Sequence, residues 1–346
     1  GFIQATAPIN LNGHKLTLHN AGGGTGDLFI SGDLTGTGRV WKTGAGRITF
    51  FEQPNSYAGP TDILEGTLAV KADATLGATG PANGTTVHPG ATQLLRNNEG
   101  SVEVGETLVL HDSSLVTDSD GATFPTNLPG PIQLLPGPAT VRIGANIAYI
   151  GSVISGTGAL RKNGIGILVF FGIQPNTFSG GIFAEQGRVI GSKDNGPAFP
   201  GPVTVGGAPG LYPNLEFDAD NQIGDNAAVR VAETGALRTE TFSDTIGSLT
   251  LQGGSVPSGP GTLTLQTGIL NVEPSLAPIV TLYCNIALPP GVTGKFTIAN
   301  SDNLEEADIA FNGIIYGDAV EQSGPGTMVW YHDMPGGTLG ALKIKG

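Results

Sequence analysis

The sequence predicts an all-β protein, a parallel β-helix (β-solenoid) with very little helix. Glycine (56 residues) and proline (24) make up nearly a quarter of the 346 residues, about twice their usual share. They interrupt almost every stretch of twelve residues, which is too often for helices. Between them the apolar residues alternate, as they do in strands with one buried face. The same turn and strand also recur along the chain, which is typical of a solenoid.

The first elements already have this character. Residues 1–32 contain the strand-like segments 9–11, 16–18 and 28–30, joined by polar and glycine-rich turns. Nothing in them resembles a cap, so we expect the chain to begin inside a repeating structure. There is no initiator methionine and no signal peptide, which leads us to expect an excised or processed piece of a longer protein.

The organising element is a Gly-x-Gly turn that feeds a short strand with alternating apolar positions. It occurs at residues 43–51, 163–171 and 323–331. Glycines allow the chain to reverse sharply, and the strand then places every second residue on one face. One such unit cannot bury that face alone, so the pattern predicts stacked copies.

A longer duplication contains these turns. Residues 35–70 match residues 155–191 at an offset of 120, which becomes 121 after residue 52, and Lys42 matches Lys162. A third copy begins near Asn312. We therefore predict one continuous solenoid over residues 1–346, with long units at approximately 33–153, 154–311 and 312–346, the last one truncated.

A finer repeat, Gly-x-Φ-x-Φ with Φ apolar, lies inside the long units. Two copies, at Gly247 and Gly261, stand only 14 residues apart, a spacing that fits successive faces of one solenoid turn. The shared phase predicts that the apolar positions point inward and stack on their equivalents one turn away. These residues are Ile48, Phe50, Leu168, Phe170, Leu249, Leu251, Leu263 and Leu265.

Tandem β-sandwich domains are the alternative architecture, because a period near 120 residues is about the size of an immunoglobulin-like domain. The fine repeat continues across the would-be boundaries, and no linker separates the copies. The Cys…Trp…Cys spacing of that fold is also missing. The solenoid explains both periods and is favoured.

Composition restricts the partners. The formal net charge of −13 disfavours nucleic acid and anionic membranes. No apolar run is long enough to cross a bilayer, so we expect no membrane insertion by this segment. The single cysteine, Cys284, excludes an intrachain disulfide and is interpreted as a small buried hydrophobic residue.

The repeat resembles the autotransporter-associated β-strand repeat. The pattern Gly-x-Leu-x-Lys-x-Gly-x-Gly-x-Leu-x-Phe, then Asn-Ser/Thr-Tyr/Phe-x-Gly, then a hydrophobic strand, is found twice; residues 221–225 and 245–251 also resemble the spacer between such repeats. The two copies cover 38–50, 55–59 and 63–68, then 158–170, 176–180 and 187–189. Such repeats occur in very large exported bacterial surface proteins. The resemblance implies a right-handed parallel β-helix and an extracellular or cell-surface location.

The acidic residues are candidate catalytic or metal-binding groups, since glycoside hydrolysis requires two carboxyls at a defined separation. Ordinary solvated turns explain them well, because Asp and Asn favour turns. A calcium site is the more specific alternative to solvated turns at Asp218, Asp220 and Asp225, which offer hard oxygen ligands. This segment does not fit an EF-hand loop, because Ile223 occupies the glycine position. The candidates are Glu216, Asp218, Asp220, Asp225, Asp112, Asp118, Asp120, Asp302, Glu305, Glu306 and Asp308.

The sequence gives little support for a zinc site or a phosphate-binding loop. Of the five histidines only His14 and His19 are close, and their spacing predicts no zinc site. The Gly-rich run at 22–26 lacks the Lys and the helix of a phosphate loop. We interpret the aromatic residues as fillers of the solenoid interior or of a turn corner, with sugar stacking on an exposed face as the alternative. They are Trp41, Tyr57, Phe178, Trp330 and Tyr331.

The sequence therefore predicts a non-enzymatic extracellular structural or adhesive β-solenoid: a surface stalk, an adhesin or a fibre subunit. The alternatives are a carbohydrate-binding module and a polysaccharide-active enzyme. No catalytic residue and no cofactor are expected. Expected partners are further repeats or other copies of the chain, paired end to end through exposed strand edges, and surface glycans.

Overall fold

The computed structural model describes residues 3–22, 27–51, 54–71, 76–80, 82–96, 100–118, 124–276, 279–300, 307–331 and 340–344. Within these ranges the chain forms strands and turns and no helix, and thus no helix that could cross a membrane. It is a parallel β-solenoid of about 14 turns. The predicted fold class is confirmed.

The chain divides into two compact units, one made of residues 1–171 and 177–180 and the other of residues 172–176 and 181–346. Strands β1 to β20 lie in the first unit, as does most of β21. The strands are β1 Ile3–Ala5, β2 Ile9–Asn10, β3 Lys15–His19, β4 Leu28–Ile30, β5 Leu34–Thr35, β6 Arg39–Thr43, β7 Arg47–Phe50, β8 Thr61–Ile63, β9 Thr67–Lys71, β10 Thr85–Val87, β11 Thr92–Arg96, β12 Val102–Glu103, β13 Leu108–Leu110, β14 Ser114–Asp118, β15 Thr126–Leu128, β16 Ile132–Leu134, β17 Pro138–Ile143, β18 Ile147–Ile150, β19 Ile154–Gly156, β20 Ala159–Asn163 and β21 Ile167–Gly172.

The strands of the second unit follow in the same manner. They are β22 Ile182–Ala184, β23 Arg188–Lys193, β24 Val203–Val205, β25 Asn214–Phe217, β26 Ala228–Val231, β27 Ala236–Arg238, β28 Asp244–Leu251, β29 Ser255–Ser258, β30 Thr262–Val272, β31 Val280–Leu282, β32 Asn285–Ala287, β33 Thr293–Ile298, β34 Ile309–Phe311, β35 Ile315–Tyr316, β36 Ala319–Ser323, β37 Met328–Trp330 and β38 Leu342–Ile344.

The first unit has three faces of parallel strands, and within each face neighbouring strands come from successive turns of the chain. The first face runs β1–β4–β7–β9–β11–β14–β17–β20. The second runs β3–β6–β8–β10–β13–β16–β19, and the third runs β12–β15–β18–β21. Paired strands are separated by one turn of chain: Ile48 lies opposite Leu68 and Thr92 opposite Ser114.

The second unit repeats this arrangement. One face runs β22–β24–β26–β28–β30–β33–β36–β38, and another runs β23–β25–β27–β29–β31–β34–β37. Strands β28 and β30 are long because each one passes around a corner of the solenoid. Their register shifts between Ile246 and Ser248, so both parts of each strand remain paired.

The core lies along the inside of the turns, as the fine repeat predicts. All eight residues predicted to point inward are completely buried. Cys284 is a buried free thiol, and burial raises its pKa to about 12, which confirms its interpretation as a hydrophobic core residue.

The interior assignment of the aromatic residues is confirmed for Tyr57 and Phe178, which are completely buried. It is wrong for Trp41 and Tyr331. In β6 the inward positions belong to Val40 and Lys42, so Trp41 faces outward by alternation. Tyr331 is 65 % exposed, and Trp330 is half-buried with its ring tilted against Phe311.

Candidate functional site

Buried lysines form the most unusual chemical feature of the interior. The side chain of Lys42 is inaccessible to solvent because β6 directs it inward. Its Nζ donates hydrogen bonds to the carbonyl oxygens of Gly44 (2.6 Å), Glu65 (2.7 Å) and Thr43 (3.1 Å). An ammonium has three donors, and here all three meet backbone acceptors of the Gly-x-Gly turn and of the next turn. Burial lowers the pKa of Lys42 to about 8, against the raising effect of the Glu65 carboxylate.

The second copy of the repeat places a lysine in the same position. Lys162 is also completely buried, and its Nζ donates to the carbonyl of Gly164 at 2.7 Å. Burial lowers its pKa to about 7. In the third copy the equivalent residue is Gln322, whose Nε2 donates to the Gly326 carbonyl at 3.1 Å. In all three copies a long side chain with an N–H donor bonds a carbonyl of the turn, and in the third copy this donor is uncharged.

The lysines predict an unusual dependence of stability on pH. Lys162 has a lower pKa in the folded state (about 7) than in the unfolded state (10.5), so the unfolded chain binds more protons between these values. The free energy of unfolding should therefore rise from pH 7.5 to 9.5, by about 1.4 kcal/mol per pH unit for one such lysine. Urea unfolding of the wild type and of Lys162→Met at both pH values measures this contribution as the difference between their slopes. Equal slopes would contradict it.

Buried acids accompany the lysines. Glu106 is buried and its Oε1 accepts a hydrogen bond from the Thr85 hydroxyl at 3.0 Å; burial raises its pKa to about 7, partly offset by that bond. Asp244 is buried as well, and its Oδ2 accepts the backbone N–H groups of Gln222 (2.6 Å) and Ile223 (2.9 Å). Burial raises its pKa to about 7, partly offset by these amides. Glu106 thus binds a side chain of the preceding turn, whereas Asp244 binds the backbone of the preceding turn.

The predicted calcium ligands lie in a surface turn close to Asp244. Asp218, Asp220 and Asp225 are all exposed. The Oδ1 of Asp220 accepts the backbone N–H of Ser243 at 2.7 Å, and Asn221 adopts a φ of +57°, as turn residues do. In the part of the chain that the structure describes, no three His, Cys, Asp or Glu side chains are placed together to hold a metal ion.

The other predicted acids are scattered. Asp112 is exposed, whereas Asp308 is buried and its Oδ2 accepts the Thr327 N–H at 2.7 Å. The side chain of Asp118 is outside the described part. Four further acids and one histidine lie outside the described residues altogether: Asp120, Asp302, Glu305, Glu306 and His332.

Glu216 lies in an ion-pair cluster on the outer surface of the second unit. Arg188 and Arg238 reach it from the strands on either side, and Arg188 binds it through both Nε (3.1 Å) and Nη2. Arg238 Nε lies 3.8 Å from Glu216 and its Nη1 lies 3.9 Å from Glu240. Glu216 raises the pKa of Arg188. A carboxylate bound by guanidinium groups from the strands on either side pairs adjacent turns of the solenoid.

A second outward-facing network lies on the second face of the first unit. The Nζ of Lys15 sits 3.8 Å from the centroid of the Trp41 ring. Trp41 Nε1 donates to Asp62 Oδ2 at 3.1 Å, and His88 Nε2 lies 3.1 Å from Asp62 Oδ1. The four residues come from four successive turns and are far apart in the sequence, so the sequence alone does not predict that they are neighbours. The outward position of Trp41 could have been read from the alternation around Lys42.

Comparison with known proteins gives one match. The model of the passenger-associated transport repeat matches residues 42–70 and 160–190, which contain the buried lysine, the Gly-x-Gly turn and the strand after it in both copies. No curated protein and no solved structure matches the chain.

Proposed function

This chain is an autotransporter passenger-like β-helix repeat protein, and from that premise we propose that it is a non-enzymatic structural or adhesive segment of a protein on a bacterial cell surface. The observation that carries the proposal is the position of the two passenger-associated transport repeats. Both copies lie within the wall of the solenoid, and each supplies a Gly-x-Gly turn, a buried lysine and paired strands.

The wall of the solenoid, which consists of its stacked parallel strands, is suited to the role of a scaffold. The strands hydrogen-bond to the turns before and after them, and the interior is filled by aliphatic and aromatic side chains. A structure of this kind is stiff because each turn holds its neighbours. Its outward positions can vary without disturbing the core, so the same wall can carry adhesive surfaces.

Pairing with further turns extends such a wall. Strand β1 pairs with β4 through Ile3, Gln4 and Ala5, and its other edge carries the N–H and C=O groups with which a parallel strand can pair. We propose that this edge is covered by further repeats or by another copy of the chain, by strand addition. In the second case copies would join head to tail.

Surface labelling of the bacteria that make the protein tests the location. An antibody raised against the folded chain is expected to label intact cells as strongly as permeabilised cells, with a cytosolic protein as the control for intactness. Labelling that appears only after permeabilisation would refute the proposal.

The alternative of a polysaccharide-active enzyme is tested separately. Substitution of the acidic residues Glu216 and Asp218 makes this test specific. Purified protein is expected to release no oligosaccharides from pectin, alginate or glucans. Cleavage that is lost in Glu216→Gln or Asp218→Asn would refute a purely structural or adhesive role.

A further inference from the structure

A groove of about 460 Å³ lies on the first unit, beside the second face. Its floor is backbone, because Gly13, Gly38 and Gly59 come from successive turns and bring no side chains. A Cβ on Gly59 would lie 1.8 Å from the Gly38 carbonyl oxygen, so the turns approach this closely only with glycine. The volume falls in the range of small-ligand sites, about 300–1,000 Å³.

Two cations line this groove. Lys15 of β3 and Arg39 of β6 are in register on adjacent parallel strands, and both side chains are exposed and border the groove. Adjacent strands lie about 4.8 Å apart, and like charges placed directly opposite each other destabilise a sheet. An anion bound between Lys15 and Arg39 would relieve this repulsion.

In the described part of the chain, no acidic side chain lines the groove and Arg39 forms no ion pair. The carboxylate of the network, Asp62, binds Trp41 and His88. This positive site is unusual in a chain with a net charge of −13.

The remaining lining adds polar and apolar contacts. The Nδ2 of Asn83 donates to the Thr79 carbonyl at 3.3 Å, which leaves its Oδ1 as an acceptor for a ligand hydroxyl. Ala58, Pro60 and Ala82 supply small apolar surfaces. The network also pre-organises Lys15, which is held over Trp41, while Trp41 is held by Asp62.

We propose that the groove binds an acidic saccharide, with a carboxylate or sulfate between Lys15 and Arg39 and a ring hydroxyl on Asn83. The combination of a paired cation site, a hydroxyl acceptor and small apolar surfaces fits a charged, hydroxylated ring better than a simple inorganic anion. This inference deepens the adhesive form of the proposed function by naming its ligand class.

Calorimetry with purified protein tests the site. The probes are oligogalacturonate, a sulfated oligosaccharide and neutral galacto-oligosaccharide of the same length. The acidic probes are expected to bind, more weakly as salt rises, and the neutral probe is not. Arg39→Ala should weaken binding about 10- to 100-fold, as expected for loss of a charged hydrogen bond, and Arg39→Lys should weaken it less.

Arg142→Ala is the matched control, because Arg142 is an exposed arginine on the first face of the same unit and does not line the groove. Its binding should equal that of the wild type. Equal binding of the neutral probe, equal losses in Arg39→Ala and Arg142→Ala, or equally strong binding of a single-stranded oligonucleotide would overturn the proposal. The test uses pure protein, so its failure leaves the result of surface labelling unchanged, and the reverse also holds.

Discussion

Phe170→Ala is expected to destabilise the first unit by about 3–5 kcal/mol. The ring is completely buried, and truncation of a buried phenylalanine both removes its transfer free energy and leaves a cavity. The preceding turn is fixed by its strand pairing, with Ile150 opposite Phe170, so it cannot collapse into the space. Urea unfolding followed by far-ultraviolet circular dichroism measures the loss.

The next residue supplies the control. Phe171 belongs to the same strand but is 44 % exposed, and its ring contacts Tyr149 edge to face at 6.1 Å. Phe171→Ala should cost about 1 kcal/mol, the value of an aromatic pair outside the core. If both substitutions cost the same, the inward phase deduced from the repeat would be contradicted.

Gly164→Ala should have the second large effect, a loss of about 2–5 kcal/mol. Gly164 has a φ of +78°, and a Cβ there would lie 2.1 Å from the Ile143 carbonyl oxygen in the preceding turn. The left-handed conformation costs an alanine about 1–2 kcal/mol, and the clash adds the cost of forcing packed groups apart, typically 1–3 kcal/mol. Displacement of the turn that contains Gly164 would also move the Gly164 carbonyl away from the Lys162 Nζ that donates to it.

Gly90→Ala separates the two contributions. Gly90 has nearly the same φ, +76°, but a Cβ there would meet no atom within 4 Å. Its substitution should therefore show the backbone cost alone, about 1–2 kcal/mol. Denaturant midpoints of the two variants, measured side by side, provide the comparison. A Gly90→Ala loss as large as that of Gly164→Ala would show that contact with the neighbouring turn is unimportant.

The fold could be predicted because alternation and glycine spacing are local properties. Ile48 and Phe50 share their phase with Leu249 and Leu251, and all four are buried. Lys42 and Lys162 match by position in the repeat, but the sequence does not predict their burial. A lysine is rarely buried unless it is paired, and its partners here are backbone carbonyls, which carry no residue identity in a sequence.

The candidate sites depend on register, which the sequence does not reveal. Lys15 and Arg39 are 24 residues apart, whereas Ile48 and its partner Leu68 are 20 apart. Because turns differ in length, outward residues of adjacent turns cannot be matched by counting. For the same reason the sequence does not predict the hydrogen bonds of Asp244, because its partners Gln222 and Ile223 lie one turn earlier.

The one-turn separation of paired strands has a consequence for folding kinetics. Thr92 meets Ser114 after 22 residues and Ile48 meets Leu68 after 20, so each new turn closes a loop of similar, short length. The entropy of closing a loop grows only with the logarithm of its length, and folding slows as contacts become more distant in sequence. Adding turns to such a wall therefore lengthens the protein without lengthening any loop that must close, and a chain many times this size could fold at a nearly constant rate per turn.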